Sequence, residues 1–562
     1  MALTKDKINY LVILIISICI VLDLFLHKGQ PITFDGPTHT ATIAQFSEVL
    51  KSGDFPVVWA DKYANYGYPI GLLVHQIPFY TGAVISFFTG NFIAAFNILL
   101  FLSVFLSGLF YYKFLRLYFT PIIALLGTVL FTFAPYRIIN IYIRGAMPEL
   151  FASIFVPLIL IGIYNFVKKR SISSICSLIV LFTLLALTHP FLLIIELFIF
   201  IPYLIFVLLT STDFHQKTQI ITSVKIFFAF AAILVISLAL ASYYLMPLVL
   251  EAKYIVYSLS TSKSTYQFLN LTNFLDPNWY YFYHGDIFPR GHFIKTGVIE
   301  FVSIFLGIGA ILYKLIFKKI KELSILEYAV ISGLVLLLFL SSYSFIFYKY
   351  ISILSEIQFP WRMLSAFIFI PPIIIAYICK DIKNNYLITA IMLLFALQYI
   401  PQLYGKNFTY YENKHYTSTI TNLIGREQNT IWVGKTEDYP IKKQKYDIIG
   451  GKGKVVKSNV HNSTRAYQVE AQTPIRMVDY TFYFPGWRVY IDKQPVEIEY
   501  QDPNYRGVIT YNVPSGKHSV ELKFQDTKIR TLAKLLSFLT LISLPFALYF
   551  MKKNKYLESK AS

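Results

Sequence analysis

Pro31-Ile32-Thr33-Phe34-Asp35-Gly36-Pro37-Thr38-His39, running on through Asp54 and Asp61 to Tyr66-Gly67-Tyr68-Pro69, is a polar, acid-bearing stretch set between hydrophobic runs. Its setting decides the fold. A chain that is mostly apolar and places Asp35, His39, Asp54 and Asp61 directly after its first long apolar run handles something polar at a membrane surface. Working outward, 56% of the 562 residues are hydrophobic, gathered in runs close to the ~20 residues that cross a hydrocarbon core of ~30 Å. The chain therefore reads as a polytopic α-helical membrane protein.

The run Ile8 to Leu26 follows Lys5 and Lys7 and lacks a small-residue cleavage site, so it is expected to stay as a first helix. Full spans are expected at roughly 8–27, 92–112, 119–135, 149–167, 172–188, 190–210, 223–247, 297–316, 326–346, 362–379, 386–402 and 531–551. Gly71 to Phe88 is apolar enough to cross, but a crossing there would invert the early loops. It is read as re-entrant or interfacial, aided by His75 and Pro78, which puts the total at about twelve or thirteen spans. Lys113/Arg116, Lys168-Lys169-Arg170, Lys314 to Lys321, Lys380/Lys383 and Lys552-Lys553 fall on one side, taken as the cytoplasm by the positive-inside rule. Both termini are then cytoplasmic. The formal charge of +19 is spent at span ends and in one terminal region, which argues against nucleic acid as a partner. Cys19, Cys176 and Cys379 all sit in apolar runs, which argues against a disulfide framework or a cysteine metal site.

Three regions follow: a transmembrane domain 1–403 whose first outer loop is 28–70, a β-rich domain 404–530, and a last span with a basic tail, 531–562. From Val455 onward, alternating segments such as Ala466 to Glu470, Trp487 to Ile491 and Val520 to Phe524 are separated by turn signals at Asp492 to Pro495 and Pro514 to Lys517. They predict an antiparallel β-sandwich outside the membrane, either a lid or spacer or a polymer-binding module.

Asp35 opens an amphipathic helical run from Pro37 to Leu50. It is either an ordinary cap or a catalytic acid with His39 four residues on. Asp61, Tyr66 and Tyr68 are candidates for lining a sugar pocket, or belong to an interfacial aromatic belt. Arg137, Asn140 and Arg144 have the spacing of one helical face. Glu149 offers Arg144 a partner, since charges at a span mouth are costly unless paired or wetted, and the surplus of arginine suits a phosphate. His189 before Pro190 breaks a long apolar run. Arg362 in Gln358-Phe359-Pro360-Trp361-Arg362 stands at the mouth of another span, and Arg290, His292 and Lys295 are further candidates. No HExxH, CxxC, P-loop or dinucleotide fingerprint is present, so an enzyme here takes its donor from the membrane.

Asp35-Gly36-Pro37-Thr38-His39, Gly53-Asp54-Phe55-Pro56, Trp59 with Asp61, Gly67-Tyr68-Pro69, Pro135-Tyr136-Arg137, Tyr142 to Ala146 with Glu149, and the 358–362 segment together resemble the bacterial membrane family labelled 6-pyruvoyl-tetrahydropterin synthase related. Nothing resembles the soluble pterin enzyme or its zinc-binding histidines. Phe484-Pro485-Gly486-Trp487, Asp492 and Val513 to His518 resemble the end of YfhO-like membrane proteins, and both groups are similar to the GT-C superfamily of polyprenyl-phosphate-sugar glycosyltransferases. The resemblance implies an inverting transfer of a sugar from a polyprenyl-phosphate donor to a cell-envelope glycan or lipid acceptor. It implies Asp35 as the base with Asp61 second, and Arg144 or Arg362 stabilising the leaving phosphate; His39, Tyr66, Tyr68, Arg137, Glu149 and His189 join them as substrate-binding candidates from their positions. The adjacent acidic pair or Asp-x-Asp of many such enzymes is missing, so no cofactor is expected and a divalent metal is not indicated. A lipid-linked glycan flippase would carry polar groups on both sides of the midplane, whereas here they crowd one face. A non-catalytic envelope scaffold is the third class.

Overall fold

The structure, a computed structural model, describes residues 5–62, 65–213, 215–256, 267–275, 294–318, 322–357, 359–418, 429–434 and 439–561. Arg290, His292 and Gln358 lie outside the described residues. Among the described residues, eight helices are long and apolar enough to cross a membrane, or ten if each of two bent pairs is one span. The pairs are Pro121–Thr132 with Pro135–Tyr142, bent by 43°, and Ile325–Leu340 with Ser342–Tyr350, bent by 79°. Two further expected spans are shorter helices. Lys5–Val21 and Ile172–Thr188 have 17 residues each, about 25 Å at ~1.5 Å per residue.

The segment read as re-entrant is broken: Ile70–Leu73 ends at an extended Val74, and Gln76–Thr89 follows with 14 residues. At about 21 Å this second helix is too short to cross alone, and Gly90 at φ 62° stops it. Asn91 then caps the next helix, Phe92–Leu115, its side chain accepting from the Ala94 amide. Small residues let the helices approach closely. A Cβ on Gly127 would stand 2.6 Å from Leu115 and one on Gly333 2.5 Å from Ile304.

The eight strands are β1 Tyr446–Gly450, β2 Gly453–Val460, β3 Thr464–Ala471, β4 Ile475–Phe482, β5 Trp487–Ile491, β6 Gln494–Val496, β7 Val508–Val513 and β8 Gly516–Phe524. They form the expected antiparallel sandwich, a three-stranded sheet β1-β4-β7 and a five-stranded sheet β2-β3-β8-β5-β6. The period-two alternation is the cause. Along β3, Arg465, Tyr467, Val469 and Ala471 turn inward while Ala466 and Gln468 face out. Asp492 and Lys493, both at positive φ, make the two-residue turn that pairs Ile491 with Gln494, as a tight hairpin requires.

The connections carrying Arg116, Lys168, Lys314 and Lys380 gather at one end of the bundle: Asp6 meets Arg116, Lys314 meets Glu327, and Lys168, Ser324 and Lys380 line a common cavity. The sandwich covers the opposite end, where loop 28–70 docks on it. With Cys19, Cys176 and Cys379 replaced, a cysteine at exposed Ser458 is expected to react with an impermeant thiol reagent in spheroplasts, and one at exposed Lys169 only after lysis. The reverse pattern would invert the orientation.

Candidate functional site

Asp35 occupies the N-cap of helix Gly36–Lys51, yet its carboxylate makes no capping bond. Thr33 does that work, its Oγ1 accepting from the Gly36 N–H at 3.1 Å. The Asp35 side chain is thereby left for another purpose. Its position is set through the backbone: the Asp35 N–H donates to the Arg144 carbonyl at 2.7 Å and the Phe34 N–H to Ile143 at 3.2 Å. The approach is tight enough to exclude a side chain at position 145. A Cβ on Gly145, at φ 65°, would stand 2.5 Å from Thr33 Oγ1 and 2.6 Å from the Gly36 nitrogen.

That turn also ends helix Pro135–Tyr142, which splits the helical face expected of Arg137, Asn140 and Arg144. Arg137 points into the bundle, donating to Ser107 at 2.7 Å and Ser153 at 3.2 Å with its guanidinium over Phe131. Arg144, beyond the helix end, folds back to meet Asn140 at 2.6 Å, Glu149 at 2.8 Å and the Tyr136 hydroxyl at 3.1 Å. Tyr136 in turn donates to Glu149 at 2.5 Å and Asn140 donates to the same oxygen at 3.1 Å. All of these groups are buried, and each partner offsets part of the cost of desolvating the charges. The hydrogen bonds of Arg144 leave from one nitrogen, Nη1, and its guanidinium lies 4.6 Å from the Trp361 ring. Beneath, Tyr136, Arg137, Asn140, Glu149, Glu196 and Ser365 line a cavity of about 10 Å³, room for about one water.

Arg362 reaches the same place from the 3₁₀ turn Pro360–Met363, stacked on Phe359 and Trp361. Its charge and that of Arg144 both act on Asp35. Burial raises the Asp35 carboxyl above its ordinary value, and the two arginines oppose that rise. His39, one turn along, donates its backbone N–H to the Asp35 carbonyl at 2.9 Å. Burial, with Arg144 adding to it, pushes its imidazole down to about 3, so the ring is neutral at pH 7. His39 and His75 both pack against Phe79, and the rings of His75 and His189 stack at 4.4 Å. His189 terminates Ile172–Thr188 and caps Pro190–Leu209, its Nδ1 accepting from the Leu192 amide. Among the described residues no group of three His, Cys, Asp or Glu side chains has the spacing to hold a metal ion. His75 and Glu196 were not singled out from the sequence as site residues. The polar break before Gln76 was the available signal for His75, whereas Glu196 lies inside a run of Leu, Ile and Phe.

Asp61, Tyr66 and Tyr68 gather elsewhere, at the seam with the sandwich. Asp61 pairs with the fully buried Arg465 and with Lys445 at 3.0 Å, and Arg465 also faces Asp479 at 3.8 Å. Tyr66 stacks on Phe482 at 4.8 Å and donates to the Pro440 carbonyl at 3.1 Å. Tyr68 pairs its backbone with Ala60. Trp59 meets Trp487 edge-on at 5.2 Å and Phe524 at 5.0 Å, and Gly67 leaves room for its indole.

With this geometry in place, comparison with known proteins adds two findings. The profile of the family described as 6-pyruvoyl-tetrahydropterin synthase related domain, a membrane protein, matches residues 75–403. A Lactococcus lactis subsp. cremoris (strain MG1363) protein named only as uncharacterized is 24% identical over 262 residues, 45% of this chain. The match spans 41% of that relative's own length.

The seam makes a direct prediction. Arg465→Met removes the buried cation that faces both Asp61 and Asp479 and leaves Asp61 with Lys445; breaking a buried pair costs about 3–5 kcal/mol, read as a clearly lowered Tm of the purified protein. An unchanged Tm would show that Lys445 and the apolar contacts of Trp59 and Tyr66 hold the seam without Arg465.

Proposed function

The chain belongs to the 6-pyruvoyl-tetrahydropterin synthase related family of membrane proteins, and from that premise we propose that it is an inverting glycosyltransferase drawing its sugar from a polyprenyl-phosphate donor. The observation that carries the proposal is the Asp35 carboxylate, released from capping by Thr33 and set under the charges of Arg144 and Arg362. An acid beside two guanidinium groups, at the mouth of a bundle and partly open, suits a reaction in which one group loses a proton while a phosphate gains charge.

Asp35 takes the proton from an acceptor hydroxyl. The freed oxygen attacks the anomeric carbon, the bond from that carbon to the phosphate oxygen breaks, and polyprenyl phosphate leaves with the electron pair. A positioned base of this kind contributes ~100- to 10,000-fold. Arg144 has its Nη1 committed to Glu149, Asn140 and Tyr136. Its other edge is the part of the planar fork that suits a phosphate oxygen. Arg362 supplies the second cation as the leaving charge develops. Neutral His39 serves as a hydrogen-bond partner near the base and leaves the positive charge to the arginines. Asp61, spent on Arg465 and Lys445, is a strut of the seam in this reading, and Tyr66 and Tyr68 pack beside it.

In the cell the site faces outward, with the sandwich extracytoplasmic, both termini cytoplasmic and a cell-envelope glycan or lipid as acceptor. Basic connections at the far end of the bundle support that orientation.

Asp35→Asn keeps the shape and removes the base, so turnover should fall by ~100-fold or more with folding intact. Polyprenyl-linked sugar should accumulate in a deletion strain carrying the variant to the same extent as in the deletion strain alone. Full complementation would remove Asp35 as the base. Because the ionised form accepts the proton and burial raises the group, the acid limb of kcat/KM should lie above the ~3.9 of an ordinary aspartate. Arg144→Lys and Arg362→Lys retain charge but lose the fork, and should weaken donor binding more than they lower Tm. If Arg144 is only a strut, Arg144→Gln and Glu149→Gln lower Tm equally and activity follows the folded fraction.

A further inference from the structure

At the end of the bundle away from Asp35, five helix termini surround a second cavity of about 330 Å³, within the size range of small-molecule sites. Its rim carries two lysines, Lys168 at the end of Phe155–Lys169 and Lys380 just past Pro371–Cys379. Among the described residues neither lysine lies within ion-pair distance of a carboxylate, whereas the neighbouring Lys314 is matched by Glu327 at 2.5 Å and Arg116 by Asp6 at 2.9 Å. The Lys380 ammonium lies 3.6 Å from the centre of the Tyr377 ring, which holds it over the opening. Inside, Tyr118 and Tyr203 share a hydroxyl hydrogen bond of 2.7 Å, and Phe206 and Val207 form an apolar wall.

We infer that this cavity binds the phosphate headgroup of an anionic membrane lipid, with Lys168 and Lys380 as its cationic contacts. Charge complementarity favours an anion, and the position selects a lipid. The cavity opens where membrane-spanning helices end, and the exposed Ile205, Leu209 and Leu323 beside it offer an acyl chain a path into the hydrocarbon. Lysine heads at such a depth sit near the interface with their stems along apolar surface, where basic residues are drawn to anionic lipid. The site is independent of the transferase reading, since it shares no residue with the Asp35 cluster.

The test uses the purified full-length protein in neutral detergent, with its Tm followed as phosphatidylglycerol, phosphatidylcholine or inorganic phosphate is added. Phosphatidylglycerol should raise Tm in a saturating manner while the other two have little effect. Lys168→Gln combined with Lys380→Gln, both at exposed positions, should require roughly tenfold or more phosphatidylglycerol for the same shift. Thr210→Trp, which keeps both charges and fills the mouth from the exposed rim, should do likewise. An equal response of the double variant and the wild type would overturn the site, as would an unimpaired Thr210→Trp protein. A matching rise with inorganic phosphate would assign the cavity to a soluble anion and end the lipid proposal.

Discussion

The Arg144–Glu149 pair is the interaction on which the site end of the bundle depends. Glu149 lies in the first turn of a helix that runs into the apolar interior, and an unpaired carboxylate there would cost several kcal/mol. Arg144 can reach it only because helix Pro135–Tyr142 stops short and Gly145 turns the chain at a positive φ. The same turn exposes the Ile143 and Arg144 carbonyls to Phe34 and Asp35, so neutralising one buried acid also fixes the position of a second. Asp35 is therefore placed by a backbone contact between two loops more than a hundred residues apart, and its side chain is spared from its own positioning.

Loop 28–70 has two ends with two different jobs. Its first part, to His39, is held against the bundle; its second part, from Trp59 to Tyr68, is held against the sandwich by Arg465, Lys445, Trp487 and Phe482. Further ties are the Gln30–Thr409 bridge and the buried Glu251–Arg530 pair at 2.9 Å, which clasps the last helix to the bundle. A β-domain fastened at so many points cannot swing freely. Helix Gly36–Lys51 joins the part of the loop that carries Asp35 to the part held against the sandwich.

Local signals made most of the elements readable. The Thr188-His189-Pro190 break, the Gly36-Pro37 start, the Asp492-Lys493 turn and the period-two strands depend on residues within a few positions of one another, and the structure has each of them where the pattern put it. The gathering of Asp35, His39, Arg144, Glu149 and Arg362 was legible because each stands at the mouth of a helix on one face. The direction of Arg137 was not, since the helix end that separates it from Arg144 is enforced by Thr33 and Gly36 from another part of the chain. Asp61 was equally opaque. Its partner Arg465 lies 404 positions away, and no spacing rule connects a loop acid to an inward-facing strand residue. The span 172–188 differs for a third reason: an apolar run gives the length of a hydrophobic stretch, while Ser171, whose side chain accepts from the Ser174 amide, decides where the helix inside it begins.

The type of cation separates the two ends of the bundle in kind as well as in place. At the Asp35 end, arginines are stacked on aromatic rings, and Arg144 is fixed by a carboxylate; this fork geometry suits a group whose orientation matters. At the far end the unmatched cations are lysines at exposed helix ends, point charges on flexible stems, suited to a headgroup that needs only to be held. A lipid-linked donor asks for the first kind of site at its phosphate, because bond breaking there depends on direction. A lipid that merely seats the protein in the bilayer asks for the second.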